Sequence, residues 1–209
     1  IIRVRASKGE IEDLNWTLLP PKEDRASVSE EGDNVVLENG RIRAVVSSDG
    51  KIAFKNQAGE VLFEELWRNE RDIDARALKG HVGGSSHIEL HLRQYAGEHF
   101  YGLGQEAHDL FDLKGATLDL CQQNTKSTIP FVMSSRGYGF IWNNPAIGRV
   151  EFGTSGTRWV AESARQMDYL VIAGDTPGEI EHRYCEVTGY APEFPEWATG
   201  LWQSKLRYE

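Results

Sequence analysis

Tyr101 to Pro145 reads YGLGQEAHDLFDLKGATLDLCQQNTKSTIPFVMSSRGYGFIWNNP. Two glycines, Gly102 and Gly104, open it. A polar, acidic loop follows, then a strand-like run from Ala116 to Gln122 and a polar knot, Gln123-Asn124-Thr125-Lys126-Ser127. It closes on two apolar runs, Ile129 to Ser134 and Tyr138 to Trp142, joined by Arg136-Gly137. Glycine lets backbone pass where a Cβ would clash, so Gly102 and Gly104 predict a tight bend or a close approach. Polar loops held between rigid strands are common places for ligand contacts. By pattern alone the stretch is a set of hairpins.

The same grammar extends upstream. Asn34–Glu38, Arg41–Ser47, Lys51–Lys55 and Val61–Leu66 are short runs rich in Val, Ile, Phe and Leu. Asn39-Gly40, Asp49-Gly50 and Asn56-Gln57-Ala58-Gly59 separate them. Asn-Gly and Asp-Gly between apolar runs are strong hairpin signals, because type I′ turns need positive φ at both central residues. This predicts a β-meander. Residues 1–25 are mixed and read as an edge strand and a loop. Residues 67–86 are charged, then Gly/Ser-rich, and read as a loop with a frayed strand. In His87–Arg93, Ile88, Leu90 and Leu92 alternate with His87, Glu89 and His91, the mark of a half-solvated antiparallel strand. His87 and His91 stand about 13 Å apart along such a strand, which predicts solvated surface rather than a metal pair.

Downstream, Gly148–Phe152, Arg158–Glu162 and Gln166–Ile172 read as strands. Pro177–Thr188 is the one convincing helix. Thr176 is its N-cap, Pro177 its first residue, Glu179 completes a capping box and Gly189 stops it. Ile180, Tyr184 and Val187 share one face, which should pack on the sheet. Tyr190-Ala191-Pro192-Glu193-Phe194-Pro195 is a stiff linker. A dozen short strands with one late helix predict an all-β, antiparallel β-sandwich with one C-terminal helix.

A 209-residue chain buries enough surface to fold with no metal, disulfide or cofactor. A formal charge of −9 argues against nucleic acid and anionic membranes as partners. No run approaches the ~18 apolar residues of a membrane span. The chain opens on Ile1-Ile2-Arg3 with neither an initiator Met nor a signal peptide, as if cut from a longer product. Cys121 and Cys185 lack metal-ligand spacing; two buried free thiols fit a reducing, cytoplasmic location.

Three motifs give the pattern a family. Tyr101-Gly102-Leu103-Gly104-Gln105 resembles the YGLGE turn of the N-terminal, galactose-mutarotase-like β-sandwich of glycoside hydrolase family 31, with Gln105 where Glu is common. Ile129–Gly139 is similar to that family's IPF-x-x-S-x-RGYG segment. Pro195–Lys205 looks like the entry into its catalytic barrel. The resemblance implies a sandwich over residues 1–191 and, over 192–209, a linker with the first strand of a (β/α)8 barrel. It implies a retaining α-glucosidase or α-xylosidase acting on an α-linked oligosaccharide or glycoside. Retaining hydrolysis needs two carboxyl groups about 5–5.5 Å apart. In the family these are barrel aspartates, and a barrel runs to about 250 residues, so none of Glu106, Asp109, Asp112 or Asp119 is assigned as catalytic. The partner expected of this chain is its own catalytic barrel.

The family's sandwich also sends a loop over the barrel mouth, and Gln122-Gln123-Asn124-Thr125 aligns with it. Gln123 and Asn124 are therefore candidate sugar contacts, although an Asp often stands where Asn124 does. Side-chain amides carry two donors and an acceptor, complementary to vicinal hydroxyls. Trp202, Gln203 and Lys205 match the first barrel strand, which makes Trp202 and Lys205 candidates beneath the pocket; without a barrel, residues after Pro195 should add to the sandwich edge. Trp142 and Trp159 could stack on sugars, but their strand context predicts core packing. Two other functions fit the same composition. An aldose 1-epimerase would need a His acid and a carboxylate base, with His99 and His108 as candidates. A stand-alone carbohydrate-binding module would need no reactive group.

Overall fold

The computed structural model describes residues 1–13, 15, 17–21, 25–66 and 74–203. Fifteen strands are found among them: β1 (Ile2–Ala6), β2 (Ser27–Glu31), β3 (Asn34–Asn39), β4 (Ile42–Val46), β5 (Ile52–Asn56), β6 (Val61–Glu64), β7 (Arg76–Gly80), β8 (Ser86–Leu92), β9 (Phe100–Gln105), β10 (Thr117–Leu120), β11 (Ser127–Ser134), β12 (Tyr138–Trp142), β13 (Gly148–Phe152), β14 (Thr157–Ala164) and β15 (Met167–Ala173). One α-helix follows, α1 (Pro177–Thr188), then a 3-10 turn, Glu196–Thr199.

Three five-stranded antiparallel sheets form, in the orders β1-β15-β12-β11-β9, β10-β13-β14-β8-β7 and β2-β3-β4-β5-β6. A bridge between Glu65 and Leu92 joins the second and third, flanked by bonds from Leu66 N to His91 O and Arg93 N to Glu64 O, both 2.9 Å. The alternating residues face one another as the sequence pattern requires. Ile42, Ala44 and Phe54 of the meander, Ile88, Leu90 and Leu92 of β8, and Tyr138, Phe140 and Trp142 of β12 share one buried core. Burying apolar surface at roughly 25 cal/mol per Å² is the main force assembling the layers.

The first sheet is covered on both faces. β12 and β15 are buried at every position, which is why Met167-Asp168-Tyr169-Leu170-Val171-Ile172-Ala173 reads as a nearly continuous apolar run. On the outer face Ile141, Leu170 and Ile172 pack with Ile180 of α1, flanked by Tyr184 and Val187. The helix has the predicted bounds. Its N-cap is Thr176, which accepts from Glu179 N at 3.2 Å. The Glu179 carboxylate returns to Asp175 N rather than to the cap residue, at 2.9 Å.

Several details differ from the sequence reading. The β3–β4 register pairs Asn39 with Ile42, so the loop is Gly40-Arg41, one residue later than expected, with positive φ only at Gly40. β2 was not foreseen: all five of its residues are exposed, leaving no apolar alternation to read. Residues after Pro195 join no sheet edge as far as they are described; Glu196–Thr199 is a 3-10 turn with Ala198 buried. Both cysteines are free, and each is half-buried rather than buried. Residues 67–73 and 204–209, Lys205 among them, lie outside the described residues.

Candidate functional site

The knot between β10 and β11 is a four-residue turn. Lys126 N donates to Gln123 O at 3.2 Å, and Thr125 lies at φ 69°. Positive φ at the third residue alone is the type II pattern, which favours Gly or Asn there. A β-branched residue in that region is a genuine outlier and carries strain of order 1–3 kcal/mol. The Gln123 amide folds back onto the Cys121 thiol, Nε2 to Sγ 3.1 Å. Asn124 is exposed, and among the described residues its side chain makes no hydrogen bond, so its donors and acceptor face outward.

What holds the strained turn lies beneath it. Lys126 Nζ is 2.9 Å from Glu106 Oε2, and the two side chains are only 11% and 6% exposed. The same ammonium donates to Asp119 O at 2.6 Å, and the one hydrogen of the Thr128 hydroxyl is shared between Cys121 O at 3.0 Å and the other oxygen of Glu106 at 3.2 Å. The Gln122 side chain imitates a neighbouring strand: its Nε2 donates to Thr128 O at 2.7 Å and its Oε1 accepts from Thr128 N at 3.2 Å. In the sequence Lys126 stands only as part of a polar knot and Glu106 as an acid of the preceding loop. The signal available was a Lys and a Glu flanking the same paired strands, which becomes informative only once β9 and β11 are known to be neighbours.

β9 explains the two glycines. Gly102 and Gly104 do not turn the chain; they sit inside a paired strand at φ 133° and 85°, with Leu103 between them at φ 66°. A Cβ on Gly102 would lie 2.6 Å from Phe131 O, and one on Gly104 would lie 2.2 Å from Ser127 O. The expected close approach is therefore the correct reading. The register between β9 and β11 slips between Thr128 and Val132, and this bulge lets β11 rise into the loop.

The remaining candidates separate. Trp202 is 69% exposed; its indole N–H donates to Ala198 O at 2.6 Å, and no hydrogen bond or ring contact among the described residues joins it to Gln123 or Asn124. It belongs to an exposed run with Phe194, Trp197 and Leu201. Trp142 and Trp159 are core residues, their ring centroids 6.1 Å apart. His99 Nδ1 is 2.6 Å from Asp112 Oδ2 at a half-exposed site, while His108 Nδ1 accepts from Leu110 N. The two histidines do not converge. Asp112 lies below its ordinary range: desolvation pushes it up, and bonds from His99 and from the Lys114 and Phe100 amides more than offset this.

His87 and His91 both turn to Glu89, with Nε2 2.9 and 3.0 Å from its two oxygens. No group of three His, Cys, Asp or Glu among the described residues is placed to hold a metal. Beside the loop, a cleft of about 740 Å³ runs between α1, β11, β12 and residues 143–147, with Gln122 at its edge.

Comparison with known proteins follows the same outline. Residues 1–151 match the glycosyl hydrolase 31 N-terminal galactose mutarotase-like domain. An uncharacterized family 31 glucosidase of Pseudescherichia vulneris is 38% identical over 226 aligned residues, covering 99% of this chain and 43% of the relative. An α-xylosidase of Saccharolobus solfataricus is 33% identical over 78% of this chain and 23% of its own length. Among solved structures, a GH31 α-xylosidase from a soil metagenome, complexed with xylose, superposes with a TM-score of 0.94 at 41% identity, over 99% of this chain and 33% of that one. The chain thus spans less than half the length of these relatives.

Proposed function

Because this chain belongs to the glycosyl hydrolase 31 N-terminal galactose mutarotase-like domain family, we propose that it is the non-catalytic N-terminal domain of a retaining α-glycosidase of the glucosidase or xylosidase type. The whole protein would hydrolyse O-glycosyl bonds of α-linked substrates on a barrel. This domain would brace that barrel and present the Gln123-Asn124 turn to the sugar. One observation carries the reading: almost all of the chain aligns, yet it accounts for only 43% of one relative and 33% of another.

The exposed run Phe194, Trp197, Leu201 and Trp202 supports it. Aromatic side chains crowded on one exposed segment mark a surface that a further domain covers. Trp202 and Lys205 would then enter the first barrel strand, and residues 192–209 would be the junction. Asn124, with its amide unspent, is the better placed of the two loop candidates, because Gln123 is engaged with Cys121. The free thiols of Cys121 and Cys185 suit a reducing cytoplasm. No helix among the described residues is long and apolar enough to cross a membrane.

The test is hydrolysis of aryl α-xylosides and α-glucosides by the purified 209-residue chain and by the complete gene product. Turnover should appear only in the longer protein, and Asn124→Ala there should raise KM more than it lowers kcat. Hydrolysis by the 209-residue chain alone, abolished by one point substitution within it, would overturn the proposal.

A further inference from the structure

We infer that the cleft between α1, β11, β12 and residues 143–147 is a binding site for a neutral saccharide. Its volume of about 740 Å³ falls within the range of small-molecule sites. The lining is unusual for this molecule. Charged residues make up 26% of the sequence, yet no Asp, Glu, Lys, Arg or His lines the cleft.

The walls divide by chemistry. On one side Phe131 and Tyr184 stack with centroids 4.2 Å apart, beside Ile141. A flat apolar wall matches the C–H face of a pyranose ring. On the other side stand three amides, Gln122, Asn143 and Asn144. Each is fixed by internal bonds: Gln122 Nε2 donates to Thr128 O, Asn143 Nδ2 donates to Asp168 Oδ2 at 2.8 Å, and Asn144 accepts from Ala146 N at 3.0 Å and donates to Gln166 O at 3.5 Å. An amide NH₂ with one hydrogen engaged has a second to give, so these side chains are oriented donors rather than mobile ones. Trp142 also borders the cleft, but its ring lies in the core beside Trp159, so its indole N–H is a neighbouring reporter and not one of the donors. Oriented neutral donors facing an aromatic surface suit hydroxyl groups. They do not suit a carboxylate or an ammonium, whose desolvation no counter-charge would offset.

The inference stands apart from the role proposed for the turn, since it needs no barrel. The 209-residue chain is titrated with glucose, xylose and maltose, and in parallel with glucuronate and glucosamine. ¹H–¹⁵N resonances are followed, including the Trp142 indole N–H, assigned through Trp142→Phe. Saturable shifts are expected from at least one neutral sugar, centred on Gln122 and Asn143–Ile147. The charged analogues should bind at least about tenfold more weakly. Thr188→Trp, which fills the cleft from the end of α1, and Tyr184→Leu, which removes the stacking face, should each weaken binding about tenfold or more, while Asn124→Ala should not.

The inference is overturned if no neutral sugar gives saturable shifts. It is overturned equally if glucuronate binds as well as glucose, or if the shifts map to residues 123–126 and disappear with Asn124→Ala. None of these results bears on hydrolysis by the complete gene product.

Discussion

Replacing Lys126 by Met should destabilise the domain by about 3–5 kcal/mol, the usual consequence of leaving one member of a buried ion pair without its partner. The magnitude follows from the surroundings. Glu106 is 6% exposed and would keep only the Thr128 hydroxyl as a donor, and Asp119 O would lose the bond it receives at 2.6 Å. Glu106→Gln is milder, about 1–2 kcal/mol, because the ammonium keeps Asp119 O and the new amide oxygen can still accept. In Lys126→Met/Glu106→Gln the charge problem is gone and only the Asp119 bond is missing, so the pair should cost about 1–2 kcal/mol together. The coupling energy of the cycle is therefore about 3–5 kcal/mol. Urea unfolding followed by tryptophan fluorescence measures all four proteins. For a chain of this length Lys126→Met corresponds to a fall in Tm of roughly 10 °C. A coupling below about 0.5 kcal/mol would refute the clamp, since that is the size of a solvated surface pair.

Other substitutions test neighbouring features. Thr125→Gly should raise stability by about 0.5–1 kcal/mol by relieving the positive φ, net of the entropy that glycine adds to the unfolded chain; a loss on urea unfolding would mean the strain is absent. Arg136 donates through Nε to Leu62 O at 2.9 Å and through Nη2 to Val61 O, with its guanidinium 4.0 Å above the Tyr95 ring. Arg136→Lys keeps the charge but loses the fork, and should cost about 1–2 kcal/mol; an unchanged midpoint would remove Arg136 as the tie between β6 and the β11–β12 turn. Acid sensitivity should centre on Glu89. Burial pushes its carboxyl up, but bonds from His87 and His91, with Lys79 and Arg158 nearby, bring it down to about 2. A depressed carboxylate contributes stability above its unfolded value, near 4.5, and loses it as pH falls through about 2. The contribution is about 2–3 kcal/mol. Glu162, Arg149 and Glu151 flank the same face. The difference between wild type and Glu89→Gln should shrink across that window, and a constant difference would refute the assignment.

Legibility in the sequence followed burial. β12 was read with its observed bounds because Tyr138–Trp142 is apolar throughout, and α1 because Thr176, Pro177 and Gly189 mark its ends chemically. β2 escapes because Ser27–Glu31 is exposed throughout, and β7 is the frayed strand expected within residues 67–86, legible only loosely because Arg76–Gly80 is half-buried at three positions and exposed at two; partner strands and register, more than hydrophobic periodicity, hold them. The close approach at Gly102 and Gly104 was readable from residue type alone, but the strand to which they lie close was not. Of the site, the turn was visible as a polar interruption. Its support was not, because Glu106 and Lys126 meet only through the β9–β11 pairing. The cleft has no sequence signature: Thr17, Gln122, Phe131, Asn143 and Tyr184 come from five separate segments.

Among the described residues β15 is the one strand paired with β1, with Ile2 opposite Val171 and Ala6 opposite Met167. β1 thus has no sheet partner until β15 has emerged from the ribosome. At about 5–20 residues per second that wait is roughly ten to thirty seconds. Through it the sheet lacks an edge, and Ile2 and Val4 remain open to rival pairings. Deleting Ile2–Ala6 should therefore reduce the yield of soluble protein in living cells by more than the lost contacts alone would account for.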